Sequence, residues 1–266
     1  MLAPMTLAIA HHHGFKCAGS TFLHVLNRNW PKRVLHIEHR ISDRRIHCDQ
    51  VQPFLEGGAY DAVTSHLLTM PRPGQEFAHV HFGLVRDPIA RLISAYKFVP
   101  EERRFGGFLQ FVAAHKHHAC DYHIRHLARP ADSVEEGWRA DPAAVPLGEP
   151  RVFIGLVERF ADTMFLLERR LAKLGVTFDG SVGGRQNVGK GESPDIDDDT
   201  MAQLKEYNVE DFRLYDRVST LLDEELAEVD ANGTGRAEYQ QRCAARAGKK
   251  ERYLGVRPTD WTYLEN

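Results

Sequence analysis

The ten residues His13-Gly-Phe-Lys-Cys-Ala-Gly-Ser-Thr-Phe22 follow an apolar run, Leu7-Ala-Ile-Ala10, and lead into an amphipathic stretch. That order reads as a strand, a glycine-bearing loop and a helix N-terminus. The first backbone N–H groups of a helix have no internal partners and point at whatever sits in front of them, so the arrangement is a cradle for a phosphate-like anion.

The position of the lysine narrows the ligand. A nucleoside-triphosphatase loop reads G-x-x-x-x-G-K-[ST], its lysine directly before the hydroxyl that holds magnesium. Gly14 and Gly19 have that separation, but Ser20 follows Gly19 directly and the lysine comes earlier, at Lys16. The spacing argues against an ordinary ATPase or kinase. No apolar run ends in a lone acid suited to Mg²⁺ either: His79-Val-His-Phe-Gly-Leu-Val85 ends in Arg86-Asp87-Pro88. A cation at a strand end suits a second anion better than a metal. Asp87 is a good N-cap and Pro88 a good first helical residue, so a helix is expected directly after Arg86. On it Arg91 and Ser94 are three apart and share a face. Arg86 and Ser94 can then grip one phosphate, a planar fork supplying charge and a hydroxyl one more donor. The alternative is that Arg91 pairs with an acid and Ser94 merely packs.

Along the chain, strands are expected at 6–10, 33–38, 62–65, 80–85 and 151–157. Helices are expected at 20–29, 48–56, roughly 91–129 and 160–174, with a Pro/Asp/Gly-rich loop running to Pro150. Repeated strand-helix-strand crossings imply an α/β fold, a central parallel sheet of about five strands covered by helices on both faces, with P-loop-like nucleotide-binding architecture. Ligands then gather beyond the carboxyl ends of the strands. The 266 residues are within the range of one domain, 1–266, with no internal repeat and no long linker.

A net charge of −3 gives no case for bulk nucleic-acid binding. The four cysteines are widely spaced, without a C-x-x-C pair, which favours a reducing compartment over a disulfide framework. Neither a signal peptide nor a membrane span is visible, so a cytoplasmic protein is expected. His11-His-His13 and His115-Lys-His-His118 with Cys120 lack paired-ligand spacing, and no metal is expected. His66 follows the third predicted strand on the rim shared by both anion motifs, and an imidazole can take a proton near neutral pH. A nearby Glu or Asp, another of the 15 histidines, or no discrete base are the alternatives.

Two of these segments resemble the sulfotransferases that use 3′-phosphoadenosine-5′-phosphosulfate (PAPS), in particular the carbohydrate sulfotransferase-like branch. Phe15-Lys-Cys-Ala-Gly-Ser-Thr-Phe22 is similar to the family's 5′-phosphosulfate loop, P-K-x-G-[ST]-[ST], with Phe15 in place of proline and one extra residue before the glycine. Leu84-Val-Arg-Asp-Pro-Ile-Ala-Arg-Leu-Ile-Ser-Ala-Tyr96 is similar to its 3′-phosphate motif, R-D-P-x-x-R-x-x-S. Asn208-Val-Glu-Asp-Phe-Arg-Leu-Tyr215 resembles its closing N-x-x-D-x-x-L-Y segment, which a plain amphipathic helix would also satisfy. The resemblance spans about 6–222 and leaves the polar extension 232–266 unassigned.

The resemblance implies transfer of a sulfuryl group to a hydroxyl of a carbohydrate or small-metabolite acceptor, leaving 3′,5′-bisphosphoadenosine. Lys16 would stabilise the leaving oxygen and His66 would be the base. Lys16, Cys17, Ala18, Gly19, Ser20 and Thr21 would hold the 5′-phosphate, and Arg86 and Ser94 the 3′-phosphate. Asn187 and Lys190 would lie in a late basic loop over the nucleotide, although Lys190 reads equally well as a solvated charge. An ATP-Mg phosphotransferase and a catalytically silent nucleotide-binding protein are the other readings.

Overall fold

The computed structural model describes residues 9–40, 44–72, 74–77, 79–100, 104, 106–128, 142–184, 193–247 and 261–264. Five strands follow in chain order, β1 (Ile9–His12), β2 (Val34–His39), β3 (Ala62–Ser65), β4 (Val80–Val85) and β5 (Val152–Leu156). A sixth, β6 (Thr262–Leu264), was not expected from the sequence. All pairings are parallel, in the order β5-β4-β1-β3-β2-β6, so the sheet has six strands rather than about five.

Successive residues of β1 face opposite sides. Ile9 packs with Phe22, Phe82 and Phe165 on one face, and Ala10 packs with Leu35, Val51 and Val63 on the other. Helices α1 (Gly19–Asn29) and α2 (Cys48–Glu56) bury their apolar stripes against these two faces. The helix α3 (Pro88–Phe98) begins as its sequence dictates: Asp87 accepts from the Ala90 N–H at 2.7 Å and Pro88 occupies the first turn. The single helix expected over roughly 91–129 is instead α3, α4 (Phe108–Ala114), α5 (Lys116–Ala119) and α6 (Tyr122–Ala128). Beyond a 3-10 turn at Pro142–Ala144 and β5 come α7 (Phe160–Lys173), α8 (Asp198–Glu206), α9 (Val209–Val229) and α10 (Thr234–Ala247).

The strand order reverses at β1. The chain proceeds from β1 to β2 and β3 on one side, then crosses to β4 on the other. The crevice at such a reversal is where open α/β sheets bind ligands. Here it lies between the loop after β1 and the Arg86-Asp87 turn after β4.

Among the described residues no helix is long and apolar enough to cross a membrane.

Candidate active site

The loop after β1 is shaped by two residues in the left-handed region, Lys16 (φ 64) and Ala18 (φ 57). Alternating backbone hand of this kind turns successive N–H groups to one side and makes a concavity for an anion. The Gly14 N–H is spent on the His12 carbonyl and the Cys17 N–H on that of Gly14, while Thr21 and Phe22 donate to the Ala18 carbonyl. The Lys16, Ala18, Gly19 and Ser20 amides take none of these bonds, and their residues line a cavity of about 830 Å³. The Phe15 N–H donates to the Tyr122 hydroxyl at 2.6 Å, tying the loop to α6.

Gly19 is required by a close approach. A Cβ there would lie 1.8 Å from Nε2 of His13, whose half-buried ring stacks on His66 with centroids 4.0 Å apart. Gly19→Ala is therefore expected to push His13 off His66 and destabilise the fold by about 1–3 kcal/mol, the usual cost of overpacking. Urea unfolding checks this, and an unchanged midpoint would mean that His13 has room to move.

Because β1 and β4 are neighbours, the two anion motifs meet: Arg86 Nη1 donates to the Lys16 carbonyl at 3.2 Å. Arg86 Nε lies 3.8 Å from Glu158 and finds no hydrogen-bond partner among the described residues. Ser94, two turns into α3, lines the same cavity. Arg91 does not line it. Its guanidinium is fully buried over the Tyr122 ring at 4.3 Å, so this second arginine of the motif supports α6. Lys16 extends its Nζ over the Phe98 ring at 4.3 Å. Burial, then Arg86, holds its pKa below the ordinary lysine value.

His66 lies just past β3 on the wall of this cavity. Its ring Nδ1 is 2.9 Å from Glu38 Oε1, and its backbone N–H donates to the same oxygen at 2.8 Å. Lys16, Ala18, Gly19, Ser20, Thr21, His66, Arg86 and Ser94 thus share one cavity. Cys17 turns its side chain into the core, where burial pushes the thiol up to about 12, so only its backbone is left to the loop. Asn187 and Lys190 lie outside the described residues.

The closing Asn208 to Tyr215 segment acts at a distance. Asp211 accepts from the His123 and Ile124 N–H groups at the start of α6, both at 2.9 Å. Asp121 returns the arrangement, accepting from the Glu210 and Asp211 N–H groups at the start of α9. These reciprocal caps fix α6, which holds both anion motifs: Tyr122 grips Phe15, and His123 Nε2 donates to the Arg86 carbonyl at 2.8 Å.

Several wall residues were not singled out from the sequence: Glu38, Glu158, Trp261 and, on α10, Cys243, Ala244 and Ala247. Their only sequence signal was weak, an acid near the end of the second predicted strand and small residues in a polar tail. His11 and His12 are buried within β1, His11 Nδ1 2.8 Å from Thr64 Oγ1 and His12 Nε2 2.9 Å from His81 Nδ1. Among the described residues one set of three, His47, Cys48 and Asp49, brings metal-ligating atoms within 4.8 Å of one another, at the start of α2. In it the His47 ring already caps the Asp49 N–H.

No curated protein matches the chain. Residues 8–133, slightly under half of it, match the model of the sulfotransferase family. This segment contains β1 through α6, and so the anion loop, His66, the Arg86 turn and the helix that braces them. Over this segment the chain is similar to the sulfotransferase family, enzymes that transfer a sulfuryl group.

Proposed function

We propose that the protein, as one sulfotransferase-like domain over 1–266, transfers the sulfuryl group of PAPS to a hydroxyl of a carbohydrate or other small metabolite in the cytoplasm, without a metal and without a nucleic-acid partner. The observation that carries this is the convergence of two cationic anion subsites and a histidine on one cavity. The residues fit the donor. The loop amides and the Ser20 and Thr21 hydroxyls suit a 5′-phosphosulfate, and Arg86 with Ser94 suits a 3′-phosphate at the neighbouring strand end. The apolar wall of Val157, Phe160, Ala161 and Ala244 suits a purine, and about 830 Å³ is ample for such a nucleotide. Asn187 and Lys190 are proposed as further ligands of the nucleotide.

PAPS, when bound, supplies the sulfuryl group. His66 takes the proton of the attacking hydroxyl, Lys16 neutralises charge growing on the bridging oxygen, and the loop amides hold the phosphate in line. Charge spreads over peripheral oxygens in such transfers, so fixed dipoles and cations contribute most of the acceleration.

Calorimetry tests the donor. 3′,5′-Bisphosphoadenosine is expected to bind without metal and far more tightly than ADP, and Arg86→Ala to weaken it roughly 10- to 100-fold, the worth of a charged hydrogen bond. His66→Ala is expected to keep that affinity and lose about 10²- to 10⁴-fold in turnover, the range of general base catalysis. Mg²⁺-dependent binding of ADP equal to that of the bisphosphate would overturn the reading in favour of a phosphotransferase.

A further inference from the structure

We infer that Glu38 is a positioning residue that sets the tautomer of His66, an inference that rests on His66 being the base. The parallel register of β2 and β3 pairs Val34 with Ala62 and His36 with Thr64, and continuing it by two residues brings Glu38 beside His66. Glu38 Oε1 accepts both the His66 backbone N–H, at 2.8 Å, and the ring Nδ1–H, at 2.9 Å. Oε2 accepts the Ser65 hydroxyl at 3.3 Å. The carboxylate is itself nearly buried, its side chain 10% exposed against 38% for His66.

An ionised carboxylate only accepts, so the proton of the neutral ring sits on Nδ1 and the Nε2 lone pair is left for the acceptor hydroxyl. The ring is held in plane as well, by His13 stacked at 4.0 Å and Trp261 at 6.1 Å. In the reaction the hydroxyl proton moves to Nε2, the hydroxyl oxygen forms a bond to sulfur, and the sulfur–bridging oxygen bond breaks with its electron pair staying on the bisphosphate. The ring becomes a cation that must sit against His13 and near His126 and Arg45, none of which offers negative charge. Glu38 is the acid that faces it, and its attraction for the ring is greatest once the proton has moved. This is the relation of orienting acid to base found in hydrolase triads, in a fold and a reaction unrelated to theirs.

The test combines ¹⁵N spectra of ring-labelled histidine, with the His66 resonances identified by their loss in His66→Ala, and kinetics of Glu38→Leu and Glu38→Gln. In the wild-type protein the neutral His66 ring is expected to carry its proton on Nδ1, and in Glu38→Leu on Nε2. Glu38→Leu is expected to lose about 10²- to 10³-fold in kcat, with KM for PAPS and affinity for 3′,5′-bisphosphoadenosine within twofold. Glu38→Gln keeps an acceptor oxygen but no charge and is expected to lose less. A wild-type ring protonated on Nε2, unchanged kcat in both variants, or a fall in kcat matched by a fall in nucleotide affinity would overturn the inference. Should Glu38→Leu not fold, the wild-type tautomer and Glu38→Gln decide it. Normal turnover by His66→Ala would instead overturn the base assignment, an outcome read separately from the tautomer.

Discussion

Lowering the pH from 7 to about 5 is expected to unfold this protein cooperatively, with uptake of about five protons per chain. Burial holds His12 and His123 down to about 3 and His79 to about 4. His11, His13, His81 and His126 are held well below the ordinary histidine range for the same reason. The hydrogen bonds agree with neutral rings. The Leu68 carbonyl 3.2 Å from His12 Nδ1 can only accept, so His12 Nε2 must accept from His81 Nδ1–H. A group whose folded pKa is depressed leaves the native state with fewer protons than the unfolded chain, so stability is lost as pH falls below about 6.5. Two carboxyls oppose this: burial raises Asp211 to about 6 and also raises Asp121, and each takes up a proton in the native state first. They offset a minority of the histidine effect. The net slope is on the order of 6 kcal/mol per pH unit, against a total stability of about 5–15 kcal/mol for a typical domain. Circular dichroism and urea titrations between pH 4.5 and 8 measure it. A fold intact at pH 4.5 with an unchanged melting temperature would mean that these rings are not held neutral.

What the sequence made legible was local. The bounds of β3 and β4 follow from apolar runs of the right length and punctuation, those of α2 from a capping box at His47 and Gln50 and a glycine at 57, and α3 starts at Asp87-Pro88 because cap and first turn are adjacent residues. The anion loop was legible for the same reason: its glycines, lysine and hydroxyls are consecutive. What was missed depends on partners distant in the chain. The stretch after α3 breaks at Pro100 and Gly106-Gly107, but apolar residues on either side keep a helical period across the break. The start of α6 is fixed by Asp211, 89 positions after Tyr122 and not recognisable as a cap until the two helices meet. The strand β6 has three residues, largely exposed, and is defined only by its pairing with β2. Glu38 belongs to the site only because β2 lies beside β3, an order that a list of strands does not specify. Histidine burial was equally hidden, since a titratable side chain in a strand reads as solvent-facing until both sheet faces are covered.

Lys16→Gly is expected to leave the protein at least as stable as Lys16→Ala, by about 1 kcal/mol in favour of glycine, while both lose about 10²- to 10³-fold in turnover of PAPS. Lys16 sits at φ 64, where a side chain crowds the following carbonyl and glycine does not. The wild-type chain bears this cost because only a lysine there brings an ammonium to the cavity beside Arg86. The two cations disfavour each other, Arg86 helping to hold the Lys16 pKa down. A polyanion between them turns that repulsion into attraction. Alanine and glycine remove the charge alike but differ in backbone strain, so thermal melts separate the two variants and donor turnover does not. Wild-type turnover in either variant would mean that the lysine charge is unused. Equal melting temperatures would mean that the loop relaxes out of the left-handed region once the lysine is gone, and that its shape is held by the side chain over Phe98 rather than by the strand and helix it joins.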